Sequence, residues 1–460
     1  MTAFSRMALV VLAVLAISML LGGQEASITP PGGAAAMTTD NSNSQGTNAA
    51  AAASASPATI TLEDALRLAQ KDSTQFQAAV TDAGLAHQDR VQARAGLLPS
   101  VSYNAQYLYS EGNGTAARFI ANNGVHEYIS EGNAHQVFDL AHIADFQRSG
   151  AAEALAKAKA EIAARGLVVT VTQSYYALIV GQRKYANGQQ AASEALRFRD
   201  ISQALENGGE VAHSDVIKAQ LQLNDRQRDL HEAELAMNRA RLELAILLFP
   251  NLNQNFAVVD DLRLPEPLPA QEEIEKLAAK NNPEVRAAMS ALEAANHEVN
   301  VARSGHLPSL ALDYWYGIDA NHFAVRTNGF KNLGYSAAAT LSLPIWSWGA
   351  TQSKVKQAEL RRNQSRLELS AAQRTALADL REFYDEAQTA RAELEGLRNS
   401  AELAAESARL ITLRYQAGES TVLEVVDAQN TLTLARNAYD DGEARYRVAV
   451  ANLQTLTGRF

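Results

Sequence analysis

Ala93 to Ser100 reads ARAGLLPS and Ala302 to Ser309 reads ARSGHLPS, nearly the same eight residues written twice, 209 positions apart. In each copy an Ala- and Arg-rich run meets Gly, then Leu-Pro-Ser, and beyond the serine the apolar residues fall on every second position. Val101, Tyr103, Ala105, Tyr107 and Tyr109 alternate with Ser102, Asn104, Gln106, Leu108 and Ser110; Leu310, Leu312, Tyr314, Tyr316 and Ile318 do the same after the second copy. Proline lacks the N–H that a helix interior uses and biases its predecessor toward extended backbone. Each copy therefore marks a helix giving way to a strand, with Gly96 and Gly305 loosening the helix end and Pro99 and Pro308 stopping it.

The duplication extends far beyond these turns. LAQKDSTQFQAA (Leu68 to Ala79) matches LAAKNNPEVRAA (Leu277 to Ala288), and GGEVAHSDVIKAQ (Gly208 to Gln220) matches AGESTVLEVVDAQ (Ala417 to Gln429). A unit of nearly 200 residues, much longer than a solenoid repeat, was copied once. We divide the chain into a leader at 1–26, a spacer at 27–58, a first repeat at 59–264 and a second at 265–460, with Pro265-Glu266-Pro267 and Pro269 marking the linker between repeats.

Within each repeat the helical period is regular. Ala376, Leu380, Phe383, Ala387, Ala390, Leu394, Leu397, Ala401, Ala404, Ala408 and Ile411 are spaced alternately by four and three, the signature of a coiled-coil seam. Val216, Leu223, Leu230, Met237 and Leu244 recur every seven residues, as do Val425, Leu432, Tyr439, Tyr446 and Leu453. The preceding helices, expected at about Ala144 to Leu205 and Thr351 to Tyr415, each reach roughly 90 to 100 Å at 1.5 Å per residue. Their opposite faces carry Glu, Arg, Gln and Lys and so lie in water.

Two further strands complete the pattern. Leu333, Tyr335, Ala337, Ala339, Leu341, Leu343 and Ile345 alternate with mostly small or polar residues, whereas the first-repeat counterpart, Val125 to Phe138, alternates poorly. Strands of about ten residues with one apolar, aromatic face have the length and patterning of transmembrane β-strands. Four such strands cannot close, and an open edge is not tolerated in lipid, so a barrel must be shared among copies of the chain. Two soluble hairpins packed on helices are the other reading of the strands alone.

The composition is consistent with export and excludes several chemistries. Of the 460 residues 47% are hydrophobic but only 6% aromatic, and the net charge of -10 is spread over interspersed acids and bases, which argues against a nucleic-acid partner. There is no Cys, hence no disulfide, thiolate metal site or acylated N-terminal Cys. Arg6 followed by an uncharged apolar run from Met7 to Leu21 and then small residues has the layout of a secretory signal; an uncleaved anchor is the alternative. No phosphate-binding glycine loop or Gly-x-Ser-x-Gly is present, and the His-Glu pairs at His126, His231 and His297 lack a second His four residues on. His126, His135 and His142, the first expected in a loop, have no compact ligand spacing. We therefore expect no catalytic, cofactor or metal site.

The ordered set of Leu-Pro-Ser turns, the Leu343-Pro344-Ile345-Trp346 strand exit and the tip sequence YQAGESTVLEVVDAQ from Tyr415 to Gln429 resembles the TolC-like outer-membrane efflux proteins over about Thr61 to Gly458. The resemblance implies an α+β membrane protein and a homotrimer, with a twelve-stranded β-barrel in outer-membrane lipid continuous with a helical barrel across the periplasm. It also implies a passive exit duct, energised by an inner-membrane pump through a periplasmic adaptor. A periplasmic coiled-coil scaffold is the alternative that the heptads alone allow.

The same resemblance nominates residues at the helical tips. Gly208, Gly209, Glu210, Gly418, Glu419 and Ser420 are where adaptor hairpins would dock, although turn glycines are also what any helix reversal needs. Glu424 and Asp427 align with acidic rings that narrow the entrance, Asp215 with a carboxylate of its latch, and Tyr415 with a latch tyrosine; Ser420 stands where the family has a latch arginine. Acids early in a helix also favour its N-terminus electrostatically, a structural reason for Asp215, Glu424 and Asp427 that needs no gate. Ser110 to Gly124 and Asp319 to Lys331 are expected as loops facing outside, and Trp346 and Trp348 as aromatics at the membrane boundary or in a core.

Overall fold

The computed structural model describes residues 58–109, 126–252, 254–262 and 267–458. The leader, all but the last residue of the spacer, the loop from Ser110 to Gly124 and the Pro265-Glu266 part of the linker lie outside the described residues.

Described elements run β1 (Ala58–Ile60), α1 (Leu62–Asp72), α2 (Thr74–Ala95), β2 (Ser100–Tyr109), β3 (His126–Phe138), α3 (Leu140–Asn207), α4 (His213–Leu248), β4 (Phe256–Val258), α5 (Gln271–Asn281), α6 (Pro283–Ser304), β5 (Ser309–Ala320), β6 (Arg326–Thr327), β7 (Phe330–Lys331), β8 (Leu333–Ser342), α7 (Ala350–Gln416) and α8 (Val422–Thr457). The series short helix, helix, strand, strand, long helix, helix thus occurs twice. Helix starts follow side-chain chemistry: Thr61 and Asp64 form a reciprocal capping box, Ser73 accepts from the Phe76 amide at 3.3 Å, and Asn282 accepts from the Glu284 and Val285 amides with Pro283 in the first turn. Gly96 and Gly305 end α2 and α6 in ordinary right-handed geometry. What Gly305 supplies is space, since a Cβ there would sit 3.1 Å from the Thr351 methyl of α7.

The 68-residue α3 and 67-residue α7 each fold back on a 36-residue partner, α4 and α8, as antiparallel hairpins. Glycine lets α3 and α4 approach closely: a Cβ on Gly181 would meet the Met237 Cα at 3.2 Å, and Gly188, seven residues on, lies against Leu230. Across the wall the helices run α4, α3, α8, α7. One face of this wall carries a further layer. The parallel pair β1 and β4 packs with α1 over α3 and α4, and the Tyr175 hydroxyl donates to the Val259 carbonyl at 2.7 Å and the Ile60 carbonyl at 3.2 Å.

The main sheet is antiparallel in the order β2-β3-β5-β8. Its register places Val101, Tyr103, Tyr107, Leu310, Leu312, Tyr314, Tyr316, Tyr335 and Leu341 on one face, all of them exposed. Ser102, Asn104, Glu131, His135, Asp313, Ser336 and Thr340 share the other, where His135 Nδ1 lies 2.7 Å from Asp313 Oδ1. The poor alternation of β3 has a physical explanation. On the aromatic face β3 contributes Gly132 between Tyr103 and Tyr316 and Ala134 between Val101 and Tyr314, so bulky cross-strand neighbours cover small residues. Being paired on both sides, β3 does not need an alternating pattern of its own.

Three expectations are corrected. β8 ends at Ser342, and Leu343 and Ile345 continue the alternation only in sequence, because Pro344 cannot donate to a ladder. His126 begins β3, paired with Tyr109, instead of lying in a loop. The segment from Asp319 to Lys331 is partly ordered as the end of β5 and the small β6–β7 hairpin.

Two measurements check this description. A Cβ at Gly317 would fall 2.2 Å from the Ser130 carbonyl oxygen and 2.4 Å from Glu131 Cα, both backbone, so Gly317→Ala is expected to force β5 from β3 and reduce the yield of membrane-inserted protein severalfold on fractionation. Glu153, almost fully buried, faces Lys157 at 2.6 Å, Arg90 at 3.0 Å and His87 at 3.0 Å, which lower its pKa to about 2. Its folded pKa lies below the ordinary 4.5, so its contribution is complete above that pH and fades as pH falls toward 2. Glu153→Gln is expected to cost about 2 kcal/mol at neutral pH, with the gap to wild type closing as chemical denaturation is repeated toward pH 2.

Candidate functional site at the helical tips

Both hairpins reverse by the same backbone device. In the first tip Gly209 has φ +77° and the Glu210 amide donates to the Leu205 carbonyl at 2.9 Å; in the second Gly418 has φ +73° and the Glu419 amide donates to the Arg414 carbonyl at 2.9 Å. A left-handed residue closing a bond to the carbonyl five back is the Schellman ending, and it needs a residue without Cβ. Gly208, Gly209, Glu210, Gly418 and Glu419 are exposed at these turns, and Ser420 is half-buried.

The side chains make the two tips different. In the first, His213 Nδ1 lies 2.6 Å from Glu206 Oε1 across the turn, and Asp215 sits 3.7 Å from Lys218 one turn on. In the second, Thr421 caps α8 by accepting from the Glu424 amide at 3.3 Å, Arg414 donates to the Glu419 carbonyl at 3.2 Å, and the Ser420 hydroxyl donates to the Glu424 carboxylate. That hydroxyl, with the Thr421 backbone and the Arg414 charge, holds the Glu424 pKa below its ordinary value. Ser420 therefore has a local acceptor in this chain. Glu424 and Asp427, three residues apart on α8, are both exposed, and two carboxylates at that spacing share one helix face.

Tyr415 is placed differently from an open gate residue. It is 2% exposed, its ring lies 5.1 Å from that of Phe198, and its hydroxyl donates to Ser202 Oγ of α3 at 3.1 Å. With Ala219, Val422 and Val425 these residues form a core that fastens the second tip to the first. The structure thus brings Tyr415 to Ser202, not to a carboxylate. Glu424 and Asp427 share a surface, and Asp215 stands apart on α4. Sequence reasoning did not single out Ser202, because a small hydroxyl in an Ala-rich helix interrupts no period.

Farther along the wall a second unforeseen cluster joins the repeats. Arg183 of α3 donates to both Asp260 oxygens at 2.6 and 2.7 Å, to Asp440 at 3.1 Å and to Glu443 at 2.5 Å, while Asn187 donates to Asp440 at 3.0 Å. Burial raises the Asp440 pKa, and the Arg183 guanidinium opposes that shift. Asp260 belongs to the segment just after β4, at the end of the first repeat, so one guanidinium holds that segment and both hairpins together. On the opposite face of α8, Arg445 binds Glu386 at 2.6 and 3.0 Å and Glu393 at 2.8 Å. Among the described residues no cluster of three or more His, Asp or Glu forms a metal site, and no helix is long and apolar enough to cross a membrane.

Known proteins share this architecture. Residues 275–459 match the family model described as outer membrane efflux protein. Over 415 residues the chain is 26% identical to the alkaline protease secretion protein AprF of Pseudomonas aeruginosa, covering 86% of this chain and 84% of AprF. Over 410 residues it is 22% identical to the outer membrane protein TolC of Escherichia coli, covering 85% and 80%. The solved CmeC outer membrane channel of Campylobacter jejuni superposes with a TM-score of 0.78 at 18% identity, covering 86% of this chain and 85% of that one. Two long helical hairpins on one four-stranded sheet, built from a unit written twice, are shared with these channels, and the second repeat matches the outer membrane efflux protein family model, so the chain is similar to TolC-like outer-membrane efflux proteins in both sequence and fold.

Proposed function

We propose that three copies of this chain close side by side into one passive duct, with the tips as its periplasmic entrance. The protein is an outer-membrane exit channel for efflux; how its own residues build and gate the pore is the reading offered here. The observation that carries it is the sheet with two free edges. Among the described residues β2 and β8 have no second neighbour within the chain, yet the sheet bears an exposed aromatic face. Because β8 is antiparallel to β2, the β2 of a second copy continues the up-and-down order, and three copies give twelve strands, a size typical of membrane barrels.

The helical wall supports the same closure. Its two edge helices carry exposed apolar residues at heptad spacing, Leu235 and Leu242 on α4, Leu360 and Leu367 as well as Leu403 and Leu410 on α7. The layer built from β1, β4 and α1 belongs on the outer face, since inside a closed wall it would obstruct the lumen. Arg445, Glu386 and Glu393 then line the inside.

In a trimer the exposed carboxylates Glu424 and Asp427 recur three times around the axis, and such a ring favours cations. Tyr415 holds the two tips together behind it, and Asp215 adds a further carboxylate at the start of α4. A periplasmic adaptor docking near the exposed turns, and an inner-membrane pump behind it, supply the cargo and the energy; the duct itself performs no catalysis. Trp346 and Trp348, both exposed beyond β8, fit the outer-membrane lipid boundary.

Two experiments test this reading. Leu403→Glu with Leu410→Glu is expected to leave the helix formed but to abolish the heat-modifiable trimer on semi-native gels; an undiminished trimer band contradicts the edge assignment. Glu424→Ala with Asp427→Ala is expected to lower the cation-to-anion permeability ratio severalfold in planar bilayers and to weaken block by multivalent cations. An unchanged ratio removes these residues from the entrance.

A further inference from the structure

At the end of the sheet farthest from the helices, β5 and β8 are joined through the small hairpin of β6 and β7. Asn328 and Gly329 turn it with φ of +51° and +84°, the left-handed pair of a tight two-residue turn. Asn332 braces its foot: the backbone amide donates to the Val325 carbonyl at 2.9 Å, and the side-chain amide donates to the Ala324 carbonyl at 2.9 Å and to Thr327 Oγ1 at 2.7 Å. A segment held this way has two defined faces. Side chains alternate along each strand, so Val325, Thr327 and Phe330 share one face and Arg326 and Lys331 the other.

Arg326 and Lys331 lie directly opposite each other, both exposed, and among the described residues neither has a carboxylate partner. Like charges facing across a strand pair are destabilising, and an anion between them removes the repulsion. The other face is apolar and open, with Phe330 77% and Val325 56% exposed. Just before the hairpin the exposed Phe323 ring stands 6.4 Å from that of Tyr128, which pairs with Ala320, the last residue of β5. Tyr128 belongs to the aromatic face of the sheet, 4.9 Å from the Tyr107 ring, and the His126 and Tyr109 rings lie beside them, 5.3 Å apart. The foot of the hairpin therefore rests on the aromatic side of the sheet, not over the polar side that would line a lumen. Tyrosine rings gather at the level of lipid headgroups, and this band marks where the hairpin leaves the strands.

We infer that the β6–β7 hairpin is a lipid anchor at the outer leaflet, with Phe323, Val325 and Phe330 in the boundary of the acyl chains and Arg326 and Lys331 holding a phosphate of a lipid headgroup. An element with one apolar and one cationic face lies flat in that boundary. A phosphate offers Arg326 paired hydrogen bonds and neutralises the charge of Lys331 opposite. The inference rests on the outer-membrane placement of the chain and goes beyond the duct reading, since it assigns the exit end a specific contact with the lipid around it.

The chain has no Cys, so Val325→Cys supplies a single thiol for a nitroxide label. The labelled full-length protein is placed in nanodiscs of phosphatidylcholine, alone or mixed with phosphatidic acid, and collisions of the label with dissolved oxygen and with a water-soluble nickel complex are compared. In the mixed discs oxygen collisions are expected to dominate, and Arg326→Gln with Lys331→Gln to shift the balance severalfold toward nickel. Native mass spectrometry of protein extracted from the mixed discs should show phosphatidic acid retained over phosphatidylcholine, with retention severalfold lower in the same double variant. Planar-bilayer conductance of that variant should match wild type, because the hairpin stands outside the pore. Nickel dominance in both kinds of disc, retention indifferent to the charge substitutions, or the same label shift produced by inorganic phosphate in phosphatidylcholine discs overturns the inference. Spin–spin broadening from labels of neighbouring copies in contact, or a conductance altered by the charge substitutions, overturns it as well. Failure of the wild-type protein to conduct would instead overturn the duct reading.

Discussion

A β-sheet with an unpaired edge cannot rest in hydrocarbon, where each unmet N–H or C=O costs several kcal/mol. Among the described residues the main sheet has four strands and leaves β2 and β8 open, while one face is covered with Tyr103, Tyr107, Tyr314, Tyr316 and Tyr335. Much else is arranged around that constraint. The strands are short because they need only cross a bilayer, the Leu-Pro-Ser turns convert helix to strand at the membrane boundary, and the edge helices keep leucines at heptad spacing for a neighbour. Gly317 serves the same end, permitting close strand approach where a side chain would intrude, while Gly132 lies between Tyr103 and Tyr316 on the aromatic face.

The helical wall uses two kinds of seam. Within the second hairpin the core of the contact is apolar, with Ala404 and Ala408 against Ala428 and Leu432, and Ala390 against Tyr446 and Val450, and the Arg445 pairs to Glu386 and Glu393 lie at its exposed margin. Between the hairpins polar contacts recur alongside the tip core: Tyr415 to Ser202, Arg226 to Asn430, Asn187 and Arg183 to Asp440, and Lys184 to Asp441 at 2.7 Å. Apolar seams stabilise over a range of small displacements, whereas buried charges tolerate few arrangements because an unmatched partner is costly. The polar seam therefore selects how one repeat sits on the other, and the Arg183 cluster ties that choice to the outer layer. At the tips Tyr415 makes the last such contact, nine and twelve residues before Glu424 and Asp427.

Periodicity made much of this legible. The spacing of Val216 to Leu244 and Ala376 to Ile411 marks the long helices, and alternation after Pro99 and Pro308 marks β2 and β5. What stayed hidden has physical reasons. β3 carries little alternation because its neighbours cover it from both sides, and β8 stops at Ser342 because of a missing proline donor, although the apolar pattern runs on to Ile345. The exposed turns Gly209 and Gly418 were readable from their glycines. Ser202 and Arg183 were not, since their partners lie far away in sequence and a polar residue inside a heptad looks like an ordinary solvated position. Tyr415 was recognised as a tip residue, but its turn into the core depends on the cavity that Phe198 and Ser202 provide.

The account stands on closure by several copies. Native mass spectrometry of the protein extracted from outer membranes counts them directly. The predicted particle contains three copies of this chain and dissociates to monomers only when the barrel is heat-denatured. Particles of one or two copies, or a protein recovered wholly from the soluble periplasm, would contradict it.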